Sequence, residues 1–278
     1  MPPTVSAVDA APLSPSLAGA RALRWSARAW IAVAAVGQLF FAGYIAAYYG
    51  GAAAHGRWQD WNRIFAHGHV AGDGYGNALV AAHLAFAVLT ILAGLAQLSP
   101  ALRARWPRLH RWNGRFYLGA AAVMSLGGLS MIAHRGSVGD ASQKVGIVLN
   151  ALLILIFAWQ ALRHARARRF DLHRRWALRL YLAMAGVWFF RVGLMLWVVI
   201  NQGPAGFDPA SFTGPFLTAL AFAQYLLPLA MLELYLRAQA RANAIQRGAV
   251  AAALAVATLA TAGGVAAAIA LMWLPRLQ

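Results

Sequence analysis

Seven stretches of this chain, 30–50, 78–99, 114–134, 145–162, 176–200, 216–236 and 249–273, are predominantly apolar over the length that crosses a bilayer. About 20 such residues are needed to traverse ~30 Å of hydrocarbon as a helix. The last run is rich in Ala and Gly and weakest in hydropathy, which leaves six helices as the fallback. Composition agrees: 61% of residues are apolar and 11% charged, against roughly 45–50% and about 25% in soluble domains. That balance excludes a soluble enzyme, a disordered protein and a fibrous repeat. The expected fold is an all-α, polytopic transmembrane bundle in one domain over 21–278. Residues 1–20, rich in Ala, Pro and Ser, read as a disordered tail, and the first apolar run, long enough to span, as a retained helix rather than a cleaved signal.

The 23 arginines and one lysine give a net charge of +17. They cluster between apolar runs, so topology accounts for them and nucleic acid is not an expected partner. Eighteen lie on one side of the expected bundle, at its N-terminal flank and in its second, fourth and sixth connections. Five lie on the other side, Arg57, Arg63, Arg135, Lys144 and Arg276. The positive-inside rule then predicts a cytoplasmic N-terminus and an external C-terminus. In the outer loop 51–77, Trp58, Trp61 and Phe65 recur at nearly helical spacing, which predicts a short interfacial helix at the headgroups.

Ionisable residues within hydrocarbon are costly, by ~2.5–3.5 kcal/mol at the centre on insertion scales. Arg191 is the plainest case, nine residues from the outer end of its span, about 13 Å deep at ~1.5 Å per residue. Gln224, Asn150, His83 and Tyr44 fall at comparable levels in four other spans. These five predict a polar pocket in the outer half of the bundle, with Arg191 as an anion-binding group for a haem propionate, a lipid phosphate or a substrate carboxylate. The competing reading is that Arg191 only locks helix packing. Glu233, near the inner end of its span, is expected to pair with Arg175 or Arg179. His83 and His134, on consecutive spans, are the candidate axial ligands for a haem b. With no cysteine, disulfides, thiolate metal sites and iron–sulfur clusters are excluded. No catalytic motif is present. If the protein is an enzyme, the chemistry expected is that of a haem-dependent membrane oxidoreductase.

One pattern occurs twice on the inner side. His110-Arg111-Trp112-Asn113-Gly114-Arg115-Phe116-Tyr117 opens the third span, and His173-Arg174-Arg175-Trp176-Ala177-Leu178-Arg179-Leu180-Tyr181 opens the fifth. This suggests duplicated helix pairs. His110, Arg111, Arg115, His173, Arg174 and Arg179 are candidates to grip anionic lipid at the inner surface. An alternative is a paired site for an anion or quinone head.

These motifs, with His83, Gly94-Leu95-Ala96-Gln97, Asp171-Leu172-His173 and Arg191, resemble the bacterial integral membrane proteins of domain of unknown function 2306, over about residues 78–240. The resemblance implies a multi-helix membrane protein and supplies no activity. More loosely, membrane histidines on a small bundle are similar to the cytochrome b561 group. The leading expectation is a membrane protein that binds a cofactor or small anion, haem being the specific candidate. A non-enzymatic packing or assembly protein is the rival, and a small-molecule transporter with helices broken at Gly127-Gly128 or Gly263-Gly264 the third.

Overall fold

The protein is described by a computed structural model over residues 15–65 and 67–278. Its elements in chain order are α1 (Pro15–Ile45), a π-helical turn (Ala46–Gly50), α2 (Gly51–Ala54), a 3-10 turn (Trp58–Arg63), α3 (Gly74–Leu98), α4 (Pro100–Arg105) and α5 (Pro107–Arg135). Then follow α6 (Ala141–Arg166), α7 (Phe170–Met184), α8 (Gly186–Ile200), α9 (Pro215–Arg241), α10 (Ala244–Ala267), a second π-helical turn (Ala268–Trp273) and a closing 3-10 turn (Leu274–Arg276). No strand occurs among the described residues. The bundle is all-α.

Six of the continuous helical stretches are long and apolar enough to cross a membrane. The seventh is made of α7 and α8 together, bent by 52°. The expected total of seven therefore holds when the bent pair is one span, but the doubt fell on the wrong segment. The Ala-rich last span is a full-length helix, and the fifth, 176–200, is broken. The break lies at Ala185-Gly186 rather than at the glycine pairs, since α5 runs through Gly127-Gly128 and α10 through Gly263-Gly264. At the break Asn150 Nδ2 donates to the Ala183 carbonyl at 3.1 Å, supplying a partner where the helical ladder is interrupted. Residues 15–20, expected in the tail, are the first turns of α1; residues 1–14 lie outside the described residues.

Helix starts follow local chemistry. Asp73, Ser99, Asp140 and Asn243 accept a backbone N–H of the following turn, and Pro100, Pro107 and Pro215 open their helices, where the missing N–H costs nothing. The bundle pairs α1 with α10, α3 with α5, and α6 with α7, while α8 packs on α9 and α10. Small residues let the backbones approach. A Cβ on Gly264 would lie 2.6 Å from the Val192 carbonyl, and one on Gly37 2.7 Å from the Trp188 ring. The outer-loop segment forms a short 3-10 helix whose Trp61 is 3% exposed and donates its Nε1 to the Tyr49 carbonyl at 3.1 Å, while Trp58 stays exposed.

Candidate anion-binding site

At the arginine-poor end, α1, α8 and the end of α10 enclose an aromatic cluster around Arg191. The π-helical turn after α1 adds a residue to the helical repeat, which places Tyr44, Tyr48 and Tyr49 on one packed surface; such turns recur at functional sites. Tyr44 stacks 6.2 Å from Trp273, and Phe41 5.2 Å from the same ring. The Arg191 guanidinium lies over the Phe41 ring at 5.2 Å, a cation–π contact. Its one hydrogen bond runs from Nη1 to the Val187 carbonyl of its own helix at 3.2 Å. Among the described residues the salt bridges use Asp60, Asp73 and Glu233, and none reaches Arg191. Tyr44, Tyr49 and a second cation, Arg276, are the groups that bear electrostatically on it.

Among the described residues three further donors in the cluster lack a partner to donate to: the Tyr44 hydroxyl, which lies beside Arg276, and the indole Nε1 of Trp188 and of Trp273. Their side chains are 3%, 2% and 0% exposed. Buried N–H and O–H groups are normally satisfied, and leaving one unpaired costs about 1–3 kcal/mol. The cluster thus has two guanidinium groups and three idle donors, while the carboxylate that bears on its edge at Tyr48, Asp60, is paired with Arg57 and Arg63. Such a site is complementary to an anion with several acceptor oxygens.

The five residues expected to share one pocket separate in the structure. Arg191 and Tyr44 meet. Asn150 and Gln224 meet on the opposite side of the broken span, around Gly186, where a Cβ would fall 2.8 Å from Asn150 Nδ2 and 3.6 Å from Gln224 Oε1. Five helical residues separate Gly186 from Arg191, a rotation of roughly 140° at ~100° per residue. The same five residues also rise about 7.5 Å, so Asn150 and Gln224 differ from Arg191 in depth as well as in face. Gln224 also bonds back onto the preceding turn of its own helix, Nε2 donating to the Ala221 carbonyl at 2.8 Å.

His83 stands apart from both, its Cε1 facing Gly128 of α5 and its Nδ1 buried without a partner. His134 lies six residues further along α5, about 9 Å at ~1.5 Å per residue, and bonds Asp73 Oδ2 at 3.1 Å. The two rings do not face each other, so the axial-pair expectation is corrected: α3 and α5 pack with His83 against a glycine rather than across a slot. Among the described residues no three His, Asp or Glu side chains gather closely enough to hold a metal ion.

Asp73 instead centres a knot. Arg135 donates from Nε at 2.9 Å and Nη2 at 2.7 Å to its Oδ2, from Nη2 to Asn77 Oδ1 at 2.7 Å, and from Nη1 to the His67 carbonyl at 2.8 Å. The Gly76 N–H first, and Arg135 next, hold the Asp73 carboxyl down to about 2.

At the arginine-rich end the duplicated motif acquires geometry. In each copy an arginine covers a tryptophan three residues earlier, Arg115 over Trp112 at 4.7 Å and Arg179 over Trp176 at 4.6 Å. Tyr117 and Tyr181 converge on Gly94, where a Cβ would lie 3.1 and 3.3 Å from their rings. Arg179 pairs with Glu233 at 2.7 Å, as expected for one of its two candidate partners. Arg111 and Arg174 are exposed.

The family described as "Predicted membrane protein (DUF2306)" matches residues 80–227, more than half the chain. The chain belongs to this family. No curated protein and no solved structure matches it. The family region contains Trp188 and Arg191, but Phe41, Tyr44, Tyr49, Trp273 and Arg276 lie on helices that flank it. The last three, with Trp188, were not singled out from the sequence as site residues. Arg276 counted only as an external charge, and the chain separation of α1 from α10 hid the pairing that assembles the cluster.

Proposed function

We propose that this member of the family is a multi-pass protein of a bacterial inner membrane, its arginine-rich end cytoplasmic, that binds a small anion at Arg191. The observation that carries the reading is the excess of donors: Arg276 and Tyr44 bear on Arg191, the indoles of Trp188 and Trp273 in the same cluster are unpartnered, and the nearby carboxylate, Asp60, is already paired with Arg57 and Arg63. A phosphate or carboxylate would offset the cost of holding Arg191 within the span and satisfy the idle donors. Haem is not favoured, because His83 and His134 point to different partners. The orientation follows from the 18-to-5 division of basic residues. The competing role, a packing lock, draws on the Arg191–Val187 hydrogen bond and the Phe41 contact.

The test is thermal denaturation of the detergent-purified chain against phosphate, sulfate and short-chain carboxylates, with wild type and Arg191→Gln side by side. A ligand that binds only the folded state raises its melting temperature in a concentration-dependent way. The proposal expects a saturable rise in wild type that disappears in Arg191→Gln. No rise in wild type with any of these anions leaves the packing role. Because the chain has no cysteine, single-cysteine variants report orientation. Ser211→Cys is expected to react with a membrane-impermeant maleimide in intact cells, and Ala167→Cys only after lysis. The reverse pattern inverts the topology.

A further inference from the structure

The arginine-rich end holds a second donor-rich place, independent of Arg191. The two hairpins α3–α5 and α6–α7 are built alike. Gln97 precedes His110 by 13 residues and Gln160 precedes His173 by the same interval. Each hairpin is stitched near its motif, by Gln97 Nε2 to the His110 carbonyl and Asn113 Nδ2 to the Ala93 carbonyl, both at 2.9 Å, and by His173 Nδ1 with the Ala161 carbonyl at 2.9 Å. The tyrosines that close the two motifs press on the same glycine, Gly94. Counting back seven residues from Tyr117 and eight from Tyr181 descends two helical turns, about 11 Å, so His110 and His173 come to one level at this end on α5 and α7, the two helices that flank α6.

The charged groups that bear on His110 are Arg103, Arg111 and His173. Those that bear on His164 are Arg163, Arg169 and, again, His173. None of them is a carboxylate. Asp171 lies in a separate cleft towards α9 with Arg174 and Arg175, and Glu233 is occupied by Arg179. His164 is 9% exposed and no hydrogen bond to its ring occurs among the described residues. The Nδ1 of His110 and the Oε1 of Gln160 are buried without partners. The imidazoles of His110 and His164 therefore lie among cationic groups with no carboxylate bearing on either, and of the two unpartnered atoms only His110 Nδ1 can donate to an anion.

We propose that the headgroup of a lipid bearing two phosphates sits where the two motif copies meet. Arg103 and Arg111 hold one phosphate from the first hairpin, Arg163 and Arg169 hold the other from the second, and the histidines lie between them. The doubling of the hairpin matches a two-phosphate head, since each hairpin exposes its own cluster of arginines, Arg103, Arg105, Arg108, Arg111 and Arg115 on the first and Arg163, Arg166, Arg168, Arg169, Arg174 and Arg175 on the second. Bulk attraction of a basic surface to anionic lipid would not make that distinction.

The experiment is native mass spectrometry of the intact detergent-purified chain, titrated with diphosphatidylglycerol and, separately, with phosphatidylglycerol. One diphosphatidylglycerol per chain is expected at a concentration at least ten times lower than phosphatidylglycerol requires. Arg103→Gln with Arg111→Gln, and Arg163→Gln with Arg169→Gln, should each bring the two lipids to parity. All four side chains are exposed, so both variants are expected to fold. Arg21→Gln with Arg24→Gln, the same charge removed from the same end, should leave the preference intact. Parity in wild type overturns the proposal, and so does an equal loss of preference in all three double variants. Displacement of bound lipid by millimolar inorganic pyrophosphate, with no preference between the lipids, would assign the seat to a soluble diphosphate and overturn the lipid.

Discussion

Arg135 and Arg191 lie towards the same end of the bundle and are partnered in opposite ways. Arg135 is 8% exposed and spends its guanidinium on a carboxylate, a side-chain amide and backbone carbonyls. Arg191 has one carbonyl of its own helix and an aromatic face. The first is a closed arrangement in which every strong donor has an acceptor, and it ties the loop before α3 to the end of α5. The second leaves donor capacity unused next to other unused donors. A satisfied arginine reports architecture, whereas an under-satisfied one within a span is where a ligand is to be sought.

The comparison breaks or sharpens most clearly on Arg135→Leu. That substitution removes six hydrogen bonds at once and leaves Asp73 with the Gly76 N–H and His134, so it is expected to give the largest fall in melting temperature while leaving any anion-dependent rise intact. A loss of the anion response without a loss of stability would reverse the roles assigned to the two arginines. Arg191→Leu is expected to do the opposite, with stability in anion-free buffer unchanged or raised and affinity for the stabilising anion reduced at least tenfold, about 1.4 kcal/mol.

Acid should separate the two regions without mutation. The Asp73 carboxyl titrates near 2 in the folded chain, below the ~3.9 of an unfolded aspartate. Its stabilising contribution is complete above the unfolded value and is lost as pH falls from about 4 through about 2. Amide exchange in residues 67–77 is expected to rise over that window, and to rise no further in Arg135→Leu. Protection equal to that at neutral pH throughout the window would show that the ion pair does not hold the loop. The smallest effect belongs to Tyr44→Phe. Removing an unpartnered buried hydroxyl should leave stability unchanged or slightly raised and weaken anion binding severalfold. Unchanged affinity would place the anion away from Tyr44.

The long apolar runs made the helices legible, and the arginine clusters marked which ends share a face. The repeated His-Arg motif was legible too, down to its tryptophan, arginine and tyrosine. Which of Arg191, Asn150, Gln224 and His83 share a face was not readable, and Asn150 and Gln224 meet Gly186 rather than the level of Arg191. Residues at one level in a bundle can face different neighbours, and Arg191 and Gly186 point apart although they share a span. The bend at Ala185 escaped detection because no proline marks it and its freed carbonyl is satisfied from another helix, by Asn150.

What the sequence by itself determined is what local composition and hydrophobic length control: an all-helical membrane bundle, the family, the uneven division of charge, and Arg191 as a residue that needs an explanation. Only the tertiary structure decided which helices meet. The pairing of α1 with α10 brings Tyr44 and Tyr49 to Trp273 and Arg276 from opposite ends of the chain, through glycine contacts and two π-helical turns. Those contacts are set by shape complementarity between distant segments, a property with no periodicity in either segment alone.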